Sequence, residues 1–166
     1  MKRVEVYFDY LCPYCYRGHK NLKELLPAHP DVEIVWMPCE AHPRPEVSKI
    51  YSDVANMGMF FLRDSGCDVD IYNDLVYEAH FEKGLRIDDV EVLASIAGEC
   101  GADTTAFKKA LCDGRYAAEA AEANRRAWGE KGWEAVPSYA CGERKIGSRG
   151  GILVPPEELD RFLSEL

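Results

Sequence analysis

The sequence predicts an α/β fold in which a helical insertion separates two halves of one domain. Three observations predict it: a strand pattern leads directly into a helical pattern near the N-terminus, strand patterning is absent from the middle of the chain, and it returns near the C-terminus. A length of 166 residues fits one such domain with an insertion. Residues 1–40 with 130–166 are predicted to form the α/β part, and residues 41–129 the helical insertion.

The N-terminal segment has the pattern of a strand, a helix and a second strand. Residues 3–8 alternate between apolar and polar side chains, as a half-buried strand does. Leucines then recur at helical spacing after Pro13, which suits a first helical position because its missing N–H leaves no bond unmade there. Residues 31–37 are the second strand of this predicted βαβ unit, which places Cys12 and Cys15 at its first strand-to-helix turn.

Helical patterns fill the middle of the chain. Glycines that follow these patterns mark helix ends, and the predicted N-caps are Asp70, Asp88 and Asp103. We therefore expect an all-helical insertion. Its predicted helices cover residues 47–63, 71–82, 89–99, 104–112 and 116–128.

Strand patterning returns near the C-terminus. Residues 137–141 and 144–146 are predicted as short strands joined by a turn centred on Gly142. Residues 155–166 then have the apolar spacing of an amphipathic helix. A ββα tail that completes an N-terminal βαβ unit is the arrangement of the thioredoxin fold, so the sequence predicts that fold with an all-helical insertion.

Composition excludes several classes of function. The 20 Lys and Arg against 29 Asp and Glu give a net charge of −9 without a basic stripe, which argues against a nucleic-acid partner. No segment approaches the roughly 18 apolar residues of a membrane span, and the N-terminus lacks the pattern of a secretory signal. We therefore expect a cytoplasmic protein without a membrane partner. Its seven cysteines, an odd number, are expected to be reduced thiols.

Cys12 and Cys15 are the predicted catalytic pair. The thiolate is the nucleophile in sulfur chemistry, and the unpaired N–H groups and dipole at a helix N-terminus stabilise it. In Cys-X-X-Cys sites at helix starts the thiol pKa falls to about 3.5–7.5. Cys12 precedes the predicted helix and is expected to attack a disulfide, whereas Cys15, one turn further on, is expected to resolve the mixed disulfide.

A zinc site is an alternative use of this pair. It would need two further ligands, and Cys39 with His42 is the only other local pairing of that kind. The strand–Cys-Pro-X-Cys–helix context accounts for the first pair by itself, so we predict no metal ligand. The other cysteines are expected to be buried small hydrophobic residues: Cys39, Cys67, Cys100, Cys112 and Cys141.

Residues on two loops are predicted to contact a substrate. Pro13 and Tyr14 lie between the cysteines, and Tyr14 is expected to face solvent. Pro137 is either an ordinary strand-start proline or part of a cis Val136–Pro137 peptide facing the dithiol, as in thioredoxin folds; we predict the cis form. The residue before such a proline exposes backbone groups to an extended substrate. Asp9 ends the first predicted strand, where an aspartate more commonly bonds local N–H groups; the functional alternatives are that it orders the active-site turn or relays a proton.

Two stretches carry a resemblance to a known family. Residues 8–18, Phe-Asp-Tyr-Leu-Cys-Pro-Tyr-Cys-Tyr-Arg-Gly, resemble the opening of the DsbA-like thioredoxin family, and most closely its FrnE-type branch. Residues 136–139 and 146–148 resemble the Val-Pro-Thr-Phe strand and later glycine loop of that family. The resemblance implies exchange with a disulfide- or dithiol-containing protein or a small thiol, with Pro137 beside the two cysteines.

The chain also departs from that family. The dipeptide between its cysteines, Pro13-Tyr14, also occurs in glutaredoxins, so a reductant is as compatible as an oxidant. Residues 148–151 read Ser-Arg-Gly-Gly where Ser-Gly-Ala-Gln is usual in the family. The family's substrate contacts at this loop are therefore not carried over to this chain.

Other functions remain open at this point. The 2-hydroxychromene-2-carboxylate isomerases and kappa-class glutathione transferases are similar folds that bind glutathione, but they typically place Ser at the position of Cys12. A glutathione-dependent isomerase or transferase is therefore the second hypothesis. A non-enzymatic metal-binding or partner-binding thiol domain is the third. We expect no cofactor other than glutathione acting as substrate or reductant.

Overall fold

The computed structural model describes all of residues 1–166, and the chain divides into two compact units. Residues 1–41 and 125–166 form the first, which we call the sheet unit. Residues 42–124 form the second, which we call the helical unit.

Four strands and seven α-helices make up the two units. In chain order they are β1 (Lys2–Phe8), α1 (Pro13–Leu25), β2 (Val32–Pro38), α2 (Asp53–Asp64), α3 (Val69–Phe81), α4 (Val90–Glu99), α5 (Thr104–Cys112), α6 (Ala117–Asn124), β3 (Ser138–Cys141), β4 (Arg144–Gly147) and α7 (Pro156–Ser164). A 3₁₀ turn covers Leu26–Ala28, and a π-helical segment covers Arg125–Glu130. The predicted thioredoxin-type order, a βαβ unit and a ββα tail separated by helices, is confirmed.

The sheet unit is built on one four-stranded sheet in the order β2–β1–β3–β4. Strand β1 pairs in parallel with β2 and antiparallel with β3, and β3 pairs antiparallel with β4. Helices α1 and α7 pack together and bury the sheet's apolar side chains. Burial of each large apolar side chain stabilises the folded state by about 1.5–3 kcal/mol. The buried cluster consists of Val4, Val6, Leu22, Val32, Tyr139, Val154, Leu159, Phe162 and Leu163.

The π-helical segment belongs to the sheet unit. The Trp128 indole N–H donates to the Glu40 carbonyl oxygen at 2.8 Å, which ties this segment to the residue just beyond β2. The sequence pattern instead predicts residues 125–129 as part of the insertion, with the boundary at residue 130. Their helical pattern continues that of α6, and no local sequence signal marks the boundary between the two units.

Close packing of α2, α3 and α5 forms the interior of the helical unit. A Cβ atom at Gly58 would lie 2.3 Å from the Tyr72 hydroxyl oxygen and 2.9 Å from Phe107 Cζ, so only glycine permits this approach. The Tyr72 hydroxyl donates to the Ala55 carbonyl at 2.8 Å. Phe107 also meets Phe61 edge to face, with ring centroids 5.5 Å apart.

The first helix of the helical unit begins later than predicted. The sequence pattern places its start at residue 47, but α2 begins at Asp53. Side chains compete with helical hydrogen bonding in the preceding segment, since the Ser48 hydroxyl donates to the Ile50 carbonyl and the Tyr51 hydroxyl to that of Glu46.

Two of the three predicted N-caps are also displaced. Asp103 caps α5 as predicted, accepting from the Ala106 N–H at 3.0 Å. Asp68 rather than Asp70 caps α3, and Asp89 rather than Asp88 caps α4. A neighbouring aspartate offers the same carboxylate, so local sequence alone leaves the choice between them open.

Candidate active site

Cys12 occupies the turn between β1 and α1. Its backbone N–H donates to the Asp9 carbonyl at 3.1 Å, and its Sγ accepts from the Cys15 N–H at 3.4 Å, so the thiol acts as the N-cap of α1. Pro13 takes the first helical position, where a proline leaves no donor unsatisfied. The sequence therefore fixes a sulfur atom at the positive end of a helix.

The surroundings of Cys12 lower its pKa from 9.0 to about 7. The largest cause is a hydrogen bond from the Cys15 thiol, with smaller contributions from the backbone N–H groups of Cys15 and Tyr14, all of which favour the thiolate. Partial burial and the negative charge of Asp9 act in the opposite direction. A large share of Cys12 is therefore thiolate near neutral pH.

Cys15 has the opposite character. Its side chain is 1% exposed, and its Sγ accepts from the Asp9 N–H at 3.4 Å. Burial raises its pKa well above 9.0, and the hydrogen bond to Cys12 and the charge on that sulfur raise it further. The two thiols thus form an unequal pair, with an accessible thiolate above a protonated, buried thiol.

The Val136–Pro137 peptide lies against this pair and is cis, as predicted. The Cys12 thiol donates to the Val136 carbonyl oxygen at 3.8 Å across 124 residues of sequence. Helix α1 approaches closely here, because a Cβ atom at Gly18 would come within 2.7 Å of Pro137 Cγ. Two segments far apart in sequence, residues 12–18 and 136–137, therefore meet beside Cys12.

The predicted substrate-contact residues have different exposures. Pro13 and Tyr14 are exposed, and the 45% exposure of Tyr14 confirms that it faces solvent. Pro137 and Val136 are buried.

Ser148 is a site residue that the sequence reasoning did not single out. It is 5% exposed, its hydroxyl donates to the Pro137 carbonyl at 2.6 Å, and its N–H approaches the same oxygen at 3.3 Å. The sequence pointed only to its loop, through the resemblance of residues 146–148 to the glycine loop of the DsbA-like family.

Asp9 orders the turn that carries the dithiol. Its carboxylate is 4% exposed, with Oδ1 accepting from the Leu11 N–H at 2.9 Å and Oδ2 from the Ala41 N–H at 2.8 Å. The Leu11 bond is the local N–H bond expected of an aspartate at a strand end, and the Ala41 bond joins the turn to the segment after β2. The same negative charge raises the pKa of Cys12, Cys15 and Cys39.

Replacing Asp9 by asparagine should lower the pKa of Cys12 below about 7, because it removes the charge that opposes thiolate formation. The amide NH₂ must also face one of the two N–H donors, so we expect a loss of about 1–3 kcal/mol in the free energy of unfolding. Thiolate absorbance against pH and urea unfolding measure the two effects. Asp31→Asn, a surface change near Lys2, is the control. An unchanged or higher Cys12 pKa in Asp9→Asn would contradict the assigned charge effect.

The remaining cysteines are less buried than predicted. Cys39 is fully buried, but the expectation is wrong for Cys112, which is exposed, and Cys67, Cys100 and Cys141 are only half-buried. Helix ends and a short strand near the surface leave these side chains partly open, which residue type alone does not indicate. All seven thiols are unpaired.

The structure brings together no group of three or more His, Cys, Asp or Glu side chains that could hold a metal ion. Every helix falls short of the length and apolar character that crossing a membrane requires.

The sequence matches a known family over almost its whole length. A family profile described as DSBA-like thioredoxin domain matches residues 3–165. The uncharacterized protein YwbO of Bacillus subtilis (strain 168) is 27% identical over an alignment of 183 positions, gaps included, which covers 89% of this chain and 90% of that protein.

Solved structures share the fold. The probable DsbA oxidoreductase SCO1869 from Streptomyces coelicolor aligns with a TM-score of 0.81 at 18% identity, over 99% of this chain and 89% of that chain. The cytosolic disulfide reductase DsbM from Pseudomonas aeruginosa, in a structure with GSH, aligns with a TM-score of 0.74 at 17% identity, over 98% of both chains. Likeness at such identities extends to the fold and not to the substrate.

Proposed function

This chain belongs to the DsbA-like thioredoxin family, and on that basis we propose that it is a thiol–disulfide oxidoreductase in which Cys12 attacks and Cys15 resolves. The observation that carries the proposal is the unequal pair: the Cys12 sulfur caps α1 and is partly exposed, whereas the Cys15 sulfur is buried one turn below it. An attacking thiol must be ionised and accessible, and a resolving thiol must stay protected until a mixed disulfide forms.

In the reductive direction the reaction has two steps. The Cys12 thiolate attacks one sulfur of a substrate disulfide, which forms a mixed disulfide and releases the other sulfur as a thiolate that takes up a proton. Cys15 then loses its proton and attacks Cys12 Sγ, which releases the second substrate thiol and leaves a Cys12–Cys15 disulfide. The substrate gains two electrons and the pair loses two, and the reverse sequence oxidises a dithiol.

The substrate backbone is proposed to lie beside Val136 and the exposed Tyr14. The Val136 carbonyl already accepts from the Cys12 thiol, so its backbone borders the position where the substrate sulfur must bind. An extended peptide or a small thiol such as glutathione fits such a site, because main-chain hydrogen bonds select no particular side chain.

The Cys12 pKa bears on the direction of the reaction. A helix start that stabilises the thiolate stabilises the reduced protein and makes its disulfide more oxidising. At about 7, the Cys12 pKa equals the thioredoxin value rather than the far lower DsbA value. We therefore expect a reduction potential nearer to about −270 mV than to about −120 mV, measured by equilibration with glutathione buffers.

The pH dependence tests the same assignment. Cys12 alkylation by iodoacetamide should follow a titration with a midpoint of about 7 instead of 9.0. Because the folded-state pKa lies below the unfolded value, the reduced form gains stability over the oxidised form as pH rises from 7 to 9, by at most about 1.4 kcal/mol per pH unit, and this gain is absent at pH 7 and below. Urea unfolding of both forms across this range measures it. A midpoint near 9.0 would contradict the unequal pair.

Turnover tests the function directly. With a dithiol reductant present, the protein should catalyse reduction of hydroxyethyl disulfide, a small neutral disulfide that needs no specific binding site. A Cys112→Ser variant, which changes an exposed thiol in the helical unit, should turn over at the rate of the unaltered protein. Absence of turnover in the unaltered, folded protein would reject the proposed function.

A further inference from the structure

A tight turn follows β4 at the edge of the candidate active site. Arg149 and Ile152 exchange two backbone hydrogen bonds, of 3.0 and 2.9 Å, around the Gly150–Gly151 pair. Gly151 has a φ of 76°, a conformation that favours glycine. The turn is therefore a defined element and presents the Arg149 side chain at its start.

Buried Ser148 fixes this turn to the cis-proline segment. Its hydroxyl donates to the Pro137 carbonyl at 2.6 Å and accepts from the Val154 N–H at 3.3 Å. One serine thus holds the residues on both sides of the turn, before Arg149 and after Ile152. The position of the turn relative to Pro137 is set by these contacts.

Two contacts place Arg149 near the cis-proline segment. Ser138 pairs with Gly147, and the N–H of the next residue, Ser148, donates to the Pro137 carbonyl at 3.3 Å. Arg149 follows Ser148 directly, and Pro137 follows Val136, whose carbonyl oxygen lies 3.8 Å from Cys12 Sγ. The backbone of Arg149 is therefore one residue from the Pro137 contact, near the position where the proposed substrate chain would bind.

The guanidinium of Arg149 is exposed and makes no ion pair or side-chain hydrogen bond. Arg3 and Arg144 of the sheet unit pair with Glu33 and Glu165, whereas exposed Arg17 and Arg161 are unpaired like Arg149. In a protein with a net charge of −9, the Arg149 guanidinium is an uncompensated cation near the cis-proline segment. Such a group attracts an anion and repels a second cation.

We propose that Arg149 is a specificity residue that favours peptide disulfides with an acidic side chain next to the cysteine. This carboxylate subsite at Arg149 rests on the proposed thiol–disulfide exchange at Cys12. The ligand group is a carboxylate on the substrate, which pairs with the guanidinium while the substrate sulfur faces Cys12. Such a residue adds to substrate recognition without taking part in the transfer of electrons.

The test compares three disulfide-linked peptides that differ only in carrying Glu, Gln or Lys beside the cysteine, with hydroxyethyl disulfide as the neutral reference. For each enzyme, kcat/KM for a peptide is divided by that for hydroxyethyl disulfide, which removes any effect on the Cys12 thiolate itself. The variants are Arg149→Gln and Arg149→Glu. Arg161→Glu is the matched control, because Arg161 is an exposed arginine of α7 that lines a different groove with Arg144 and Glu165.

We expect the unaltered protein to prefer the Glu peptide over the Lys peptide by about three- to fivefold, the upper part of the range that exposed ion pairs supply, because the guanidinium attracts one peptide and repels the other. Arg149→Gln should remove this preference, Arg149→Glu should reverse it, and Arg161→Glu should leave it unchanged. High salt should weaken the preference in the unaltered protein.

Three results would overturn the subsite. The first is the same order of preference among the three peptides in the unaltered protein and in Arg149→Glu. The second is a change of preference in Arg161→Glu as large as that in Arg149→Glu. The third is a loss of hydroxyethyl disulfide turnover in Arg149→Glu as large as its loss of turnover with the Glu peptide. Failure of the unaltered protein to turn over hydroxyethyl disulfide would instead reject the proposed function, so the two failures are distinguishable.

Discussion

Replacing Cys12 by serine is expected to lower disulfide turnover by at least about a thousandfold, because a hydroxyl at this position is not ionised near neutral pH and cannot form a mixed disulfide. The fold should be retained, since a serine oxygen can accept the Cys15 N–H and cap α1 as the sulfur does. Turnover of hydroxyethyl disulfide and urea unfolding of the reduced proteins measure the two effects. Turnover near that of the unaltered protein would end the assignment of Cys12 as nucleophile.

The matched change at Cys15 gives a different result. Cys15→Ser keeps the nucleophile but removes the resolving thiol, so the mixed disulfide on Cys12 should accumulate and be visible by mass spectrometry. The same variant separates the two enzymatic hypotheses. A glutathione-dependent isomerase needs no resolving thiol, so isomerase activity that survives in Cys15→Ser, without redox turnover in the unaltered protein, would favour that alternative.

Replacing Gly18 by alanine is expected to lower both stability and activity. The new Cβ would lie 2.7 Å from Pro137 Cγ and 3.1 Å from the Tyr139 hydroxyl oxygen. Neither group can move easily, since Pro137 is a buried ring and Tyr139 is 1% exposed. Overpacking of this kind costs about 1–3 kcal/mol, offset by up to about 1 kcal/mol from the higher helix propensity of alanine.

The same clash should reduce turnover by about tenfold or more, because it displaces Pro137 and with it the Val136 carbonyl beside Cys12 Sγ. Urea unfolding and hydroxyethyl disulfide kinetics give the two values. Gly129→Ala in the π-helical segment is the matched control, since its Cβ would meet nothing closer than Arg125 Cγ at 4.0 Å. Equal stability and turnover in Gly18→Ala and Gly129→Ala would contradict this account of the close approach.

Local sequence was sufficient to predict the elements of the fold. Alternation over residues 3–8 and leucine spacing after Pro13 indicated β1 and α1, and thus placed Cys12 at a helix start. These signals are local because backbone periodicity and helix capping involve only neighbouring residues. They failed where helical and side-chain hydrogen bonding compete. At the start of α2, the Ser48 and Tyr51 side chains bond to backbone carbonyls, and the helix begins only at Asp53.

The sequence by itself determined that two thiols begin a helix, which is enough to indicate a nucleophile and a resolving partner. Only the tertiary structure decided which distant residues surround them: Asp9 binds Ala41, the Val136 carbonyl lies beside Cys12, and Ser148 holds the turn that carries Arg149. These contacts join residues far apart in sequence. Burial, charge and hydrogen bonding at the sulfur depend on distance in space, so the pattern along the chain does not contain them.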